Sequence, residues 1–297
     1  MTEPELVPSN FLGLSADAAA YEPARIVVLP VPFEATTSYG PGTRGGPDAI
    51  LIASRQVETF DPDSRKDLAD APIHTAAPVA PDFSAPDAMT RRLEAVAGRL
   101  VADGKWVLAL GGEHSITLGL VRAAAEKHGR LSILQIDAHL DLRDSYEGSP
   151  HSHACVMRRI VEDGHRTVHV GTRSACPEEV QFAHAHDLPV FWARQYGGKE
   201  VLLEAADALE GPVYVSVDVD GLDPSVIRTT GTPEPGGLLW WETMRLLERV
   251  FAKHRVVGAD VVELSSLGDI ASDFAAARLT AKLAALAVDS KANSDAI

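Results

Sequence analysis

Leu131-Ser-Ile-Leu-Gln-Ile136 runs directly into Asp137-Ala-His-Leu-Asp141, and the reading of the whole chain turns on that junction. The first segment is rich in branched aliphatics and reads as a strand buried on both faces. Side chains alternate along a strand, so Asp137, His139 and Asp141 are expected to leave its carboxyl end on one side. Two carboxylates and an imidazole converging at the end of a buried strand are costly unless something cationic sits among them, and a metal ion is the obvious candidate. A polar turn whose aspartates cap the next helix accounts for the triplet equally well, so the rest of the chain has to decide.

Further strands are read at Arg25 to Pro30, Lys105 to Leu110, Arg166 to Val170, Leu188 to Trp192, Val213 to Val217 and Arg255 to Val262, with a weaker one near Ile73 to Val79. Helical signals occupy residues 47–52, 87–102, 115–127, 154–163, 177–186, 199–209, 242–253 and 273–288. Strands alternating with helices predict an open, largely parallel sheet covered on both faces, an α/β fold. No repeat or linker divides the chain, so residues 1–297 are expected to form a single domain, with the polar, proline-containing residues 1–24 as an arm or cap.

The chain is 45% hydrophobic and has no run of about 18 apolar residues, which argues against a membrane span. Its start lacks the basic and apolar regions of a secretory signal, and Cys155 and Cys176 suggest neither a disulfide framework nor a zinc motif. A cytoplasmic location is expected. With 42 acidic against 27 basic residues the net charge is -15, which argues against a nucleic-acid partner, whose phosphates would be repelled. The same charge suits a small cationic substrate, although solubility alone would explain it.

Three segments share the features of the opening triplet. Gly111-Gly-Glu-His-Ser115 follows one strand, Asp218-Val-Asp220 follows another, and Glu263 stands just past the last. All lie at strand carboxyl ends, where open α/β sheets place their ligands. Together they supply His114, Asp137, His139, Asp141, Asp218 and Asp220 as candidate metal ligands. Six ligands rich in oxygen suit two ions of higher coordination number, favouring manganese over zinc. Two bridging carboxylates would leave room for a shared water made acidic by both cations, which is hydrolase chemistry.

Gly111-Gly-Glu-His-Ser115, Asp137-Ala-His-Leu-Asp141 and Ser216-Val-Asp-Val-Asp-Gly-Leu-Asp-Pro224 together resemble the ureohydrolases: arginase, agmatinase and formimidoylglutamase. The resemblance extends from Tyr39-Gly-Pro-Gly-Thr-Arg-Gly-Gly-Pro47 to the final helix. It implies a three-layer αβα fold with an eight-stranded parallel sheet, a pair of Mn2+ ions per subunit and a homotrimer or homohexamer. Carried over by motif, His114 and Asp141 would bind one ion, His139 and Asp220 the other, and Asp137 and Asp218 both. Asp141 would accept a proton from the nucleophile, Glu263 would hold the guanidinium of the substrate, and His153 would pass a proton to the leaving amine. His151, two residues away, could fill that last role instead.

Within the family, Gly231-Thr-Pro-Glu-Pro-Gly-Gly237, Ser152-His-Ala and Arg158-Arg159 look more like agmatinases than arginases. Ser174 stands where arginases place an Asp for an α-amino group, and Arg143 where they use a polar residue for the α-carboxylate. The expected substrate is therefore agmatine or a derivative such as aminopropylagmatine, giving urea and putrescine or the matching polyamine. Arg143 keeps formimidoylglutamate and guanidinobutyrate open, unless it is engaged by Asp144 or Glu147. Arginase activity and a non-catalytic metal-binding homologue are the remaining alternatives. Two departures stand out: Glu113 where many members have Asp, and Ser265-Ser266 where a pair ending in Pro is common.

Overall fold

A computed structural model describes residues 9–195 and 200–289 of the chain. Its strands are β1 (Ile26–Val31), β2 (Phe60–Asp61), β3 (Lys66–Asp67), β4 (Ile73–Thr75), β5 (Trp106–Gly111), β6 (Ser132–Ile136), β7 (Arg166–Val170), β8 (Val190–Phe191), β9 (Val213–Asp218) and β10 (Val256–Val262). Its helices are α1 (Gly46–Ser54), α2 (Ala88–Ala102), α3 (Thr117–His128), α4 (Val156–Glu162), α5 (Pro177–Ala185), α6 (Glu200–Asp207), α7 (Trp240–Lys253) and α8 (Ile270–Asp289). Eight strands form one wholly parallel sheet in the order β4-β1-β5-β10-β9-β6-β7-β8.

Helices α1, α6, α7 and α8 bury Ile50, Leu202, Leu246 and Leu279 against one face of the sheet, while α2, α3, α4 and α5 bury Leu93, Leu120, Met157 and Ala183 against the other. The result is the expected three-layer αβα arrangement. Covered on both sides, the central strands can be apolar at every position, which is why they read as continuous aliphatic runs.

The strand order sets the site. The chain builds β5 and β6 with two places open between them, then fills the gap last with β9 and β10. The four strands whose carboxyl ends carry the acidic and histidine motifs are therefore neighbours, at the position where open α/β sheets form a crevice. The loop after β5 also docks tightly on the chain leaving β1. A Cβ added to Gly112 would lie 1.8 Å from the Phe33 carbonyl oxygen, so only glycine permits the approach that aims His114 inward.

One local expectation changes. The weak strand near residue 73 ends at Thr75, and the stretch before it holds an antiparallel ribbon, β2 with β3, that its charged, Asp-rich sequence conceals. Residues 10–24 act as a cap, with Phe11, Leu12, Leu14 and Ala19 buried in the core shared with α1 and α8. Their apolar side chains are too few and too irregularly spaced to register as a periodic pattern. No helix among the described residues is long and apolar enough to cross a membrane.

Candidate active site

His114 opens a short 3-10 turn after β5, Asp137, His139 and Asp141 follow β6, Asp218 ends β9, and Asp220 lies in the 3-10 turn after it. The fold brings all six together. His114 Nδ1 lies 3.0 Å from Asp137 Oδ2, 3.0 Å from Asp141 Oδ2 and 3.4 Å from Asp218 Oδ2. His139 Nδ1 lies 3.4 Å from Asp137 Oδ1 and 3.1 Å from Asp220 Oδ2. Asp137 thus turns one oxygen toward each histidine.

These residues fit a metal pair. Two groups, His114 with Asp137 and Asp218, and Asp137 with His139 and Asp220, each place three ligand atoms within 4.8 Å of one another, and they share Asp137. His114 Nδ1 is buried and makes no hydrogen bond, despite three carboxylate oxygens close by. A nitrogen lone pair and several carboxylates pointing at a common centre is what a cation requires and what a hydrogen-bond network avoids.

The surroundings fix that state of His114. Its Nε2 lies 2.8 Å from Ser216 Oγ, which donates to Asp260 Oδ1 at 2.7 Å, while Thr117 and Tyr214 hydroxyls both donate to Asp260 Oδ2 at 2.9 Å. With its own proton committed to Asp260, Ser216 accepts from Nε2–H, so Nδ1 is the nitrogen turned to the carboxylates. Burial opposes a charged His114, yet Asp137, Asp141 and Asp218 push it well up, so without a metal cation a proton takes that place on Nδ1. Asp137 is supported in a similar way. Gln135 donates to it at 2.7 Å, and the Gln135 carbonyl is held by His169, a buried imidazole that burial pulls down to about 4 and so keeps neutral.

Electrostatics agree. Burial and neighbouring carboxylates, Asp220 and Asp137, push Asp218 well above the usual carboxylate range, and burial with Asp137 takes Asp141 to about 7. Burial opposes a charged His139, yet Asp220 and Asp137 push it up to about 12. The cluster holds more negative charge than its own groups can balance, so it recruits protons or metal cations.

Above these residues lies a cavity of about 310 Å³ lined by His139, Asp141, Arg143, Tyr146, His153, Cys176, Asp218, Asp220, Glu234 and Glu263, among others. Glu263 is buried and its Oε1 accepts from the His114 backbone N–H at 2.7 Å. Burial and Glu113 push its carboxyl well up. Glu263 (φ +65°) and Asp141 (φ +53°) both adopt left-handed backbone conformations unusual for side chains of their kind. Such strain gathers at functional sites, where the surrounding fold holds it in place.

His153 lines the cavity, whereas His151 lies in a separate crevice with Thr90 and Ser115. Arg143 makes no ion pair with Asp144 or Glu147 among the described residues. Arg158 and Arg159 occupy Asp144, and the Arg143 guanidinium lies 5.0 Å from the Tyr146 ring centre at the cavity wall.

Sequence reasoning overlooked two organising residues. Arg173 donates to the carbonyls of Gly171, Asp220, Glu234 and Pro235, clamping the wall loop to the end of β9. Glu34 accepts from the backbone N–H groups of Gly42 and Arg44, shaping the glycine-rich loop. A cation that donates to backbone carbonyls, or an anion held by backbone N–H groups and loop threonines, leaves no charge-pairing signal in sequence.

Residues 24–288 match the model of the Arginase family. The N(1)-aminopropylagmatine ureohydrolase of Synechocystis sp. is 41% identical over 285 residues, covering 93% of both chains. The agmatinase of Pyrococcus horikoshii is 40% identical over 243 residues, 82% of this chain and 84% of its own. The crystal structure of agmatine ureohydrolase of Thermoplasma volcanium superposes with a TM-score of 0.83 at 31% identity, covering 96% of this chain and 95% of that one. The ligand groups, the strand order that gathers them and these matches over nearly the whole sequence lead to one assignment: the chain belongs to the arginase family and is a ureohydrolase, a hydrolase of amidino C–N bonds.

Proposed function

We propose that this chain is a binuclear manganese amidinohydrolase that converts agmatine, or its aminopropyl derivative, to urea and putrescine or the matching polyamine. The observation that carries this reading is the pair of histidine–aspartate groups sharing Asp137 on the floor of a cavity that also contains Glu263. The names of the relatives support the substrate class. The absence of an Asp after Gly171-Thr-Arg173 agrees, because agmatine has no amino-acid head group to hold.

His114, Asp137, His139, Asp141, Asp218 and Asp220 would hold the two ions, and the oxygen-rich donor set suits manganese. When bound, such a pair acidifies a shared water so that it becomes a nucleophile near neutral pH. Glu263 presents a buried carboxylate to the guanidinium, orienting the planar fork for attack at its central carbon. Asp141, beside His114 and facing the cavity, accepts the proton of the attacking water. His153, at the wall, returns a proton to the departing nitrogen. The same reading includes a single domain over 1–297, a homotrimer or homohexamer and a cytoplasmic location; light scattering of the purified chain tests the subunit count.

Arg143 supports a second reading. A half-buried guanidinium at the cavity wall with no carboxylate partner among the described residues could receive a substrate carboxylate, as in guanidinobutyrate or formimidoylglutamate. Metal analysis combined with urea release from agmatine, aminopropylagmatine, arginine and guanidinobutyrate, and formamide release from formimidoylglutamate, separates the two. Preferred turnover of a carboxylate-bearing compound would overturn the first reading. Bound manganese with no turnover of any would point to a non-catalytic homologue.

A further inference from the structure

Glu113 is fully buried, belongs to neither ligand group and does not line the cavity. Its Oε2 accepts from the backbone N–H groups of Ala35 and Thr36, both at 2.6 Å. Its Oε1 accepts from the hydroxyls of Thr36 at 2.8 Å and Ser115 at 2.6 Å. Four donors converge on one carboxylate, so its acceptor role is saturated.

Thr36 is the next link. Its hydroxyl has one proton, committed to Glu113, so Oγ1 can only accept from other groups. Two groups of residue 153 meet it, the backbone N–H at 3.0 Å and ring Nδ1 at 3.2 Å. Ser152 Oγ, a hydroxyl able to donate or accept, also lies 3.3 Å from Nδ1; because the nearer Thr36 oxygen cannot donate, a hydrogen on Nδ1 is the arrangement that serves both oxygens. In the neutral imidazole that leaves Nε2 bare. The Tyr146 ring stands edge-on to the same imidazole, with centroids 5.9 Å apart and planes at 84°, restricting its rotation.

We propose that Glu113 and Thr36 are positioning residues for proton transfer at the cavity wall. Glu113 orients the Thr36 hydroxyl, Thr36 binds the Nδ1–H of His153, and Nε2 is the nitrogen that exchanges protons with the cavity. This rests on the reading of His153 as the group that protonates the leaving amine. Nε2 takes up, through cavity water, the proton that Asp141 accepted from the attacking water and gives it to the departing nitrogen, so Asp141 ends each cycle ionised and the ring neutral. The choice of Glu over Asp at position 113 now has a physical consequence. The additional methylene lengthens the arm that reaches the backbone of residues 35 and 36.

The test uses Thr36→Val and Thr36→Ser in the manganese-loaded chain and in a His153→Asn background, assayed on agmatine and aminopropylagmatine. Thr36→Val is expected to lower kcat about 10- to 100-fold, as loss of a group orienting a catalytic histidine generally does, with KM and metal content unchanged. Thr36→Ser keeps the hydroxyl and restores most of the rate. In the His153→Asn background, Thr36→Val costs little more, because the histidine it orients is gone. Nitrogen chemical shifts of the 15N-labelled His153 ring in the metal-free protein supply a readout independent of turnover: Nδ1–H in the native chain, shifting toward Nε2–H in Thr36→Val. An equal loss from Thr36→Val with and without His153, failure of Thr36→Ser to rescue, or an Nε2–H ring in the native chain overturns the proposal. Native rate in His153→Asn itself would instead sink the proton-transfer role of His153, and the positioning role with it.

Discussion

Asp137 is the residue on which the centre depends, because its two oxygens face different histidines and it belongs to both ligand groups. Asp137→Ala is therefore expected to abolish turnover and reduce bound manganese from two ions per chain toward none; elemental analysis that still finds two would contradict the shared role. In the proposed mechanism Glu263 acts on the substrate rather than the ions. Glu263→Gln keeps the shape and the bond from His114 N–H but removes the charge opposite the guanidinium. It should retain both ions while kcat/KM falls roughly 10²-fold, in line with the loss of about 2–3 kcal/mol from a charge-assisted pair. Unchanged steady-state kinetics would show that the guanidinium binds elsewhere. At this scale the sequence was informative where chemistry is dense, as in His114 and the two Asp-x-Asp or Asp-x-His-x-Asp patterns. It concealed Thr36, a threonine among loop residues whose meaning depends on Glu113 and His153, which lie 77 and 117 positions away.

Among the elements, the β2–β3 ribbon is tied to the helical layer by one buried cation. Lys282 on α8 lies 3.4 Å from Asp61, 2.7 Å from Asp63 and 3.1 Å from Glu248 on α7. Lys282→Ala leaves Asp61 buried without its counter-charge. The expected loss is about 2 kcal/mol, between the value for a broken buried pair and that for an exposed one, since Asp63 and Glu248 keep much of their hydration. Denaturant unfolding monitored by circular dichroism checks this, and a native midpoint would refute it. The sheet strands and most helices were legible because aliphatic runs and 3.6-residue periodicity are local patterns. The ribbon was not, because its two short, charged strands carry no apolar alternation, and the residue that anchors Asp61 and Asp63, Lys282, lies more than 200 residues away. The internal packing of residues 10–24 escaped notice for the same reason, since burial of Phe11 is decided by α1 and the sheet.

For the whole molecule, the acidic centre couples metal binding, pH and stability. Without ions, Asp141 titrates at about 7 in the folded chain because of burial and Asp137, against about 4 when unfolded. The folded state therefore binds more protons between those values, so this contribution is complete below about pH 4 and is lost as pH rises through about 7. His139, pushed up to about 12, changes with the same sign from its ordinary value upward. Asp137, held low by the two histidines against its burial, is already ionised in this window and adds no slope. The Tm of the EDTA-stripped chain is expected to fall between pH 5 and pH 8, and added manganese to raise it most at pH 8. A metal-free Tm that rises across this range would show that these carboxylates do not share one field.

Composition, strand periodicity and the recurrent acidic and histidine residues at strand ends were sufficient in the sequence alone to specify a parallel α/β sheet and a hydrolase, and to single out six candidate ligands for the metal centre proposed above. These features repeat at short range, and each motif carries its chemistry within a few residues. Only the tertiary structure decided which oxygens face which histidine, that His153 rather than His151 opens on the cavity, and that Arg143 stacks on Tyr146 instead of pairing with Asp144. The first depends on inserting β9 and β10 between β5 and β6, a long-range arrangement that sets distances no local pattern contains, and the other two on how Thr36, Arg158 and Arg159 hold the loop after β6.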